Sequence, residues 1–276
     1  MTSVTAELLV VRKRSSTWIL LGIWSALAVL FAYVIPYVEY LNGSGPGPGS
    51  LEQLLPAQLA GNLVEGFPFF GGVIALMLGV LGLGSEYGWG TLKTLFIQRE
   101  GRLHVFGAKL LALGAVLVPF VLSVFALGAG ASYVIALREG SAVDWPSAWL
   151  LVRTMGAGWL ILAVWTSFGL LLAAVSRGTS LAIGVGILYA LVIEGLISAF
   201  ADAVSFLEPV TEFFLRANAY SLVKGLGLSV SEAAGNGPGA FSGPYVATGQ
   251  ALLVLVAYMV AFLALSGVLL RRRDVT

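Results

Sequence analysis

Residues 105–137 read VFGAKLLALGAVLVPFVLSVFALGAGASYVIAL, and no charge interrupts Leu110–Leu137. A helix crosses the ~30 Å hydrocarbon core of a bilayer in about 20 apolar residues. This run is longer than one crossing needs, which predicts a span that tilts or extends beyond the bilayer. Pro119 is placed to kink it. Division into two shorter helices would need a charged break, and there is none. Working outward, five more stretches share this character: Trp18–Val38, Phe67–Gly84, Trp149–Val175, Thr179–Phe200 and Val246–Leu270. The second of the six is the shortest and is rich in glycine. Ser176-Arg177-Gly178 makes a tight hairpin between the fourth and fifth. The reading is an all-α membrane protein with six transmembrane helices over about 18–38, 67–84, 105–137, 149–175, 179–200 and 246–270.

Composition agrees. Of 276 residues, 58% are hydrophobic and 11% charged, where a soluble domain carries roughly 25% charged residues. Mean hydropathy is +0.94. The absence of cysteine excludes disulfides and thiolate metal sites. The single histidine, His104, cannot build a metal site alone, so no metal site is expected. A net charge of +1 gives no global field for nucleic acid.

Charge is informative locally. With a cytoplasmic amino terminus, the inner segments hold Arg12, Lys13, Arg14, Lys93, Arg99, Arg102, Lys109, Arg177, Arg271, Arg272 and Arg273. The outer segments hold only Arg138, Arg153, Arg216 and Lys224. The positive-inside rule then places both termini in the cytoplasm of a multi-pass plasma-membrane protein. Acidic residues lean outward, as Glu39, Glu52, Glu65, Glu139, Asp144, Asp202, Glu208, Glu212 and Glu232 show. Arg12–Arg14 resembles the basic region of a signal peptide, but the apolar run after it is too long and lacks a cleavage pattern. It reads as an uncleaved first span. Thr5–Ser16 fits either an amphipathic helix along the cytoplasmic surface or a helical extension of span one.

The outer loop Glu39–Gly66 begins with Asn42-Gly-Ser-Gly-Pro-Gly-Pro-Gly-Ser, a flexible tract. Its Asn-Gly-Ser is formally an acceptor sequon, but three-residue matches arise by chance. A second outer segment, Ala201–Tyr245, mixes apolar and charged residues over Phe206–Lys224 before turning glycine-rich. This predicts a partly helical, interfacial or re-entrant element before the last span.

The cytoplasmic loop between spans two and three reads GSEYGWGTLKTLFIQREGRLHVFGAKLL from Gly84 to Leu111. Leu92, Leu95 and Phe96 recur at i, i+3 and i+4, the face of a short helix. Gly90 or Thr91 can begin it and Gly101 can end it. The same residues also fit a solvated basic loop that satisfies topology alone.

Here the sequence resembles the type-2 ABC exporter permease family. The match is Glu86, then Gly90-Thr91-Leu92-Lys93-Thr94-Leu95, Arg99 and Arg102, then Gly107-Ala108-Lys109-Leu110-Leu111. An alanine between Gly107 and Lys109 departs from the family's Gly-Lys-Leu-Leu-like run. The basic amino-terminal helix with Glu7 and the ending Leu270-Arg-Arg-Arg-Asp-Val275 are also similar. The resemblance covers the whole chain in architecture and about thirty residues in motif. It implies one transmembrane permease domain over 1–276, paired with a second permease copy as a homodimer or similar heterodimer. It further implies two separate ATPase subunits carrying ATP and Mg, with Glu86, Gly90, Thr91, Leu92, Lys93, Leu95, Phe96, Arg99 and Arg102 as the coupling helix and its flanks. The chain has no phosphate-cradling Gly-x-x-x-x-Gly-Lys-Ser/Thr segment. No cofactor is therefore expected on it.

Ionisable groups inside spans are costly and mark candidate sites. Glu194 lies six residues before Phe200, roughly 9 Å below the outer end of span five. It reads as lining the exit path, or as a carboxylate reaching headgroup water or an arginine such as Arg153. Trp165 and Tyr189 are deep enough to line such a path; facing lipid or packing is the plainer reading. Trp18, Trp145 and Trp149 fit interfacial anchors. Gly71, Ala75 and Gly79 give span two a small-residue ridge, and Ala182, Gly186 and Ala190 give span five another that runs on to Glu194.

Three functions compete. The first is the export permease. The second is a permease-like subunit of an ATPase-driven membrane machine without a defined solute. The third, an intramembrane enzyme, lacks any nucleophile–base pair or His/Asp/Glu cluster in the spans.

Overall fold

The computed structural model describes residues 3–43, 51–88, 101–194, 196–197, 208–228 and 244–272. Among these there are helices and turns but no strand. Helix α1 (Ser3–Lys13) ends at Arg14, whose extended backbone (φ −75°, ψ 121°) separates it from α2 (Ser15–Leu41). The amino-terminal segment is thus a distinct helix, not an unbroken extension of span one, and it packs against the start of the third long helix.

Among the described residues five helices are long and apolar enough to cross a membrane: α2, α3 (Phe67–Gly88), α4 (Arg102–Glu139), α5 (Ala148–Ser176) and, last of them, Thr248–Arg272. The fifth predicted span appears as the shorter apolar α6 (Ser180–Ile193), which continues into Glu194. Its predicted end at 198–200 lies outside the described residues. Helix α4 is unbroken through Pro119. At ~1.5 Å per residue it is roughly 57 Å long, so it extends well past a ~30 Å core. Its carboxyl-terminal end holds α2, because Tyr37 and Tyr40 donate to the Glu139 carboxylate at 2.8 and 3.3 Å.

The centre is the α3–α5 pair. Within their most apolar windows, 72% of α3 and 61% of α5 is buried, against 22% of α2 and 17% of the last helix. The predicted ridge explains the closeness. A Cβ at Gly79 would collide with the Thr166 carbonyl, and one at Gly169 with the Leu76 carbonyl. Two backbones therefore meet where neither helix carries a side chain, and Thr166 Oγ1 donates across the seam to the Ala75 carbonyl at 3.1 Å. Gly71 abuts Leu162 and Trp24 on the same side. Arg177 ends α5 in a left-handed turn (φ 55°) within the predicted hairpin.

Two segments between the long helices are built into the bundle. The segment before α3 contains short helices at Leu51–Leu54 and Leu59–Val64, with Leu54, Leu59, Leu63 and Val64 at 2% exposure or less. The sequence reading stressed the glycine-proline tract and passed over these leucines. In the second, α7 (Leu215–Lys224) is buried at every position from Leu215 to Val223. It is enclosed by protein, packed on α8 (Thr248–Arg272) and α5.

Candidate functional site

Four ionisable side chains converge where α1, α3 and α4 meet. Glu7 comes from the middle of α1, Glu86 from the last turn of α3, and Lys109 from the second turn of α4. Arg14 enters from the bend between α1 and α2. The Lys109 ammonium donates to Glu86 Oε1 at 2.5 Å and to Glu7 Oε2 at 2.8 Å. Arg14 Nη2 stands 3.7 Å from Glu86 Oε1, and its Nη1 donates to the Leu81 carbonyl at 2.8 Å. Glu7, Glu86 and Lys109 are 4%, 3% and 2% exposed, so all three charges have left solvent.

Removing ions from water costs several kcal/mol each unless partners compensate. Two carboxylates and two cations compensate here with no formal excess. The arrangement offers no chemistry of bond making, since it has no nucleophile set against a base. Among the described residues no group of three His, Cys, Asp or Glu side chains can hold a metal ion. Mechanically it joins three chain elements at one point. Glu86 and Lys109 stand on either side of residues 89–100 in sequence, and their contact fixes the end of α3 to the start of α4 and to α1.

The predicted coupling residues are distributed across this point. Glu86 faces inward, into the cluster. Gly90, Thr91, Leu92, Lys93, Leu95, Phe96 and Arg99 lie outside the described residues, as does the Arg102 side chain, although Arg102 opens α4. Gly101, the predicted stop, holds φ 82° just before that helix. Sequence reasoning used Arg14 and Lys109 for orientation, and these two with Glu7 for resemblance, and missed their pairing with Glu86. The available signal was the occurrence of both signs of charge at the same ends of apolar helices.

A second polar site lies near the other end of the bundle. Glu194 is 2% exposed, and its two oxygens accept the backbone N–H groups of Leu215 and Arg216 at 2.9 and 3.0 Å. It thus caps the first turn of α7, where orphan donors and the helix dipole favour an anion. The Arg216 guanidinium donates to the Ala190 carbonyl at 3.3 Å and lies 5.0 Å above the Phe69 ring. Burial pushes the Tyr220 phenol up to about 12, so it remains neutral beside Arg216. The Tyr189 hydroxyl faces the Glu194 carboxylate, and its ring packs with Trp165 and Phe168. Trp165 is 1% exposed against Gly72. Arg153 is exposed, and the arginine beside Glu194 is Arg216.

A comparison with curated proteins finds no match. A family model described as ABC-2 family transporter protein matches residues 1–275. With nearly every residue inside that match and five membrane-crossing helices on an all-α frame, the chain belongs to the ABC-2 family of transporter proteins, as a multi-pass membrane component.

Proposed function

We propose that this chain is the export permease of an ABC transporter, forming the pathway with a second permease copy and driven by two separate ATPase subunits. With α6 as the fifth of six spans both termini lie on one side, the bias of basic residues makes that side the cytoplasm, and residues 86–102 receive the ATPase stroke. The observation that carries this reading is the Glu86–Lys109 contact at 2.5 Å, buried beside Glu7. A loop whose two roots are joined cannot be displaced without moving both helices, because helices are stiff and packed interiors transmit strain. Helix α1 moves with them through Glu7. The contact surface itself is assigned to Leu92, Leu95 and Phe96, since apolar anchors in a partner cleft usually dominate such contacts while rim charges steer.

Copurification with the cognate ATPase and transport in vesicles test the reading. Leu92→Asp with Leu95→Asp should abolish ATPase binding while the permease still inserts. Lys93→Ala should weaken it mildly and in a salt-dependent way. Full binding and transport in the double aspartate variant would overturn the assignment.

A further inference from the structure

A cleft of about 370 Å³ opens on the outside of the bundle where α1, the start of α2 and the middle of α4 meet. Leu8 and Leu9 form one wall, Trp18 and Leu21 another, and Ala115 and Pro119 line the α4 side. Leu9, Trp18, Ala115 and Pro119 are exposed, so the cleft faces away from the protein core. Its size is in the range of small-molecule sites, but its chemistry is almost wholly apolar. The polar atoms at its rim are already committed. The Trp18 indole donates to the Arg12 carbonyl at 2.8 Å, and Thr17 Oγ1 donates to the Val11 carbonyl at 2.9 Å. A polar solute would find little to bond.

One charge stands at this rim. Arg12 lines the cleft, is exposed and makes no ion pair among the described residues. Its neighbour Arg14 turns the other way, into the buried cluster. A hydrocarbon slot at the start of a membrane-crossing helix, with a lone guanidinium at its mouth, matches one occupant in both parts. We propose that the cleft holds an acyl chain of an anionic phospholipid, with the headgroup phosphate against Arg12. Guanidinium binds phosphate through paired, charge-assisted hydrogen bonds. A bound chain would brace α1 against α2 and α4, and so support the helix that carries Glu7. The inference stands whether or not the 86–102 segment meets an ATPase.

Native mass spectrometry of the full chain released from detergent tests it, with added 1-palmitoyl-2-oleoyl phosphatidylglycerol or the matching phosphatidylcholine. One phosphatidylglycerol should be retained with about five-fold preference, the scale of one cation near an anionic headgroup layer. Arg12→Gln should erase the preference, and Arg12→Lys should keep most of it. Ala115→Trp fills the slot from an exposed position and should remove both lipids. Equal retention of the two lipids by the natural chain would overturn the proposal, as would undiminished phosphatidylglycerol in Ala115→Trp. Loss of self-association in Ala115→Trp with lipid retention unchanged would instead assign the cleft to a second copy.

Discussion

Glu86 and Glu194 are buried to nearly the same degree, 3% and 2% exposed, yet their charges are met by different means. Glu86 is held by side chains from other elements, Lys109 at 2.5 Å and Arg14 at 3.7 Å, with Glu7 sharing the lysine. Glu194 is held by the Leu215 and Arg216 N–H groups of one helix start together with the Tyr189 hydroxyl. A side-chain ion pair joins helices that can otherwise move apart. A backbone cap fixes where one helix begins. The first arrangement suits a joint that transmits displacement, and the second suits a fixed support under α7.

That difference predicts unequal costs. Lys109→Met leaves two carboxylates buried together without their shared cation. Breaking a buried pair from one side costs about 3–5 kcal/mol, read as loss of thermal stability in detergent and of assembled protein. Glu86→Met combined with Lys109→Met and Glu7→Gln should recover much of that stability, since the three most buried charges leave together and Arg14, partly exposed, keeps its bond to the Leu81 carbonyl. Transport should not recover with it if the joint is mechanical. A triple variant that is stable and fully active would reduce the cluster to a folding element.

The second cost is smaller. Glu194→Gln keeps one acceptor oxygen but turns an amide toward N–H donors and removes the charge opposite the helix start. A loss of about 1–3 kcal/mol is expected, the scale of a buried donor left unsatisfied. Hydrogen exchange at the Leu215 and Arg216 amides should quicken, while ATPase association stays unchanged. Altered transport with unchanged exchange would return Glu194 to the pathway-lining role read from its depth in the span.

These two carboxylates also show what was legible in the sequence. Ala182, Gly186 and Ala190 are one helical row, and the same row leads to Glu194; the structure places all four facing protein. Helical periodicity carries that information locally. The partner does not follow from it, because Arg216 is reached only through the outer segment, and nothing in the spacing favours it over Arg153. Gly71, Ala75 and Gly79 likewise predicted a close approach but not that α5 would supply Gly169 in return. Apolar length predicts six spans, and among the described residues five of them are long apolar helices while the fifth in order is the shorter α6. The leucines of 51–64 were overlooked because a glycine-proline tract dominates the loop that contains them. The resemblance implies Glu86 as a flank of the coupling helix from its place in sequence, and it cannot show that the neighbours of Glu86 in space come from α4 and from the bend after α1.

Arg14→Gln offers the finest test of how the cluster is balanced. Arg14 lies farther from Glu86 than Lys109 does, and its side chain is 14% exposed against 3% for the lysine. Its shorter bond is to the Leu81 carbonyl, which a glutamine amide can still approach. The substitution should therefore cost about 1 kcal/mol, the net worth of a typical hydrogen bond. A double-mutant cycle with Glu86→Gln isolates the charge coupling, which should be small beside that measured between Glu86 and Lys109. If Arg14→Gln destabilises as much as Lys109→Met, overall neutrality governs the site and the short lysine contact does not. The bend between α1 and α2 would then be the element that the charges hold in place.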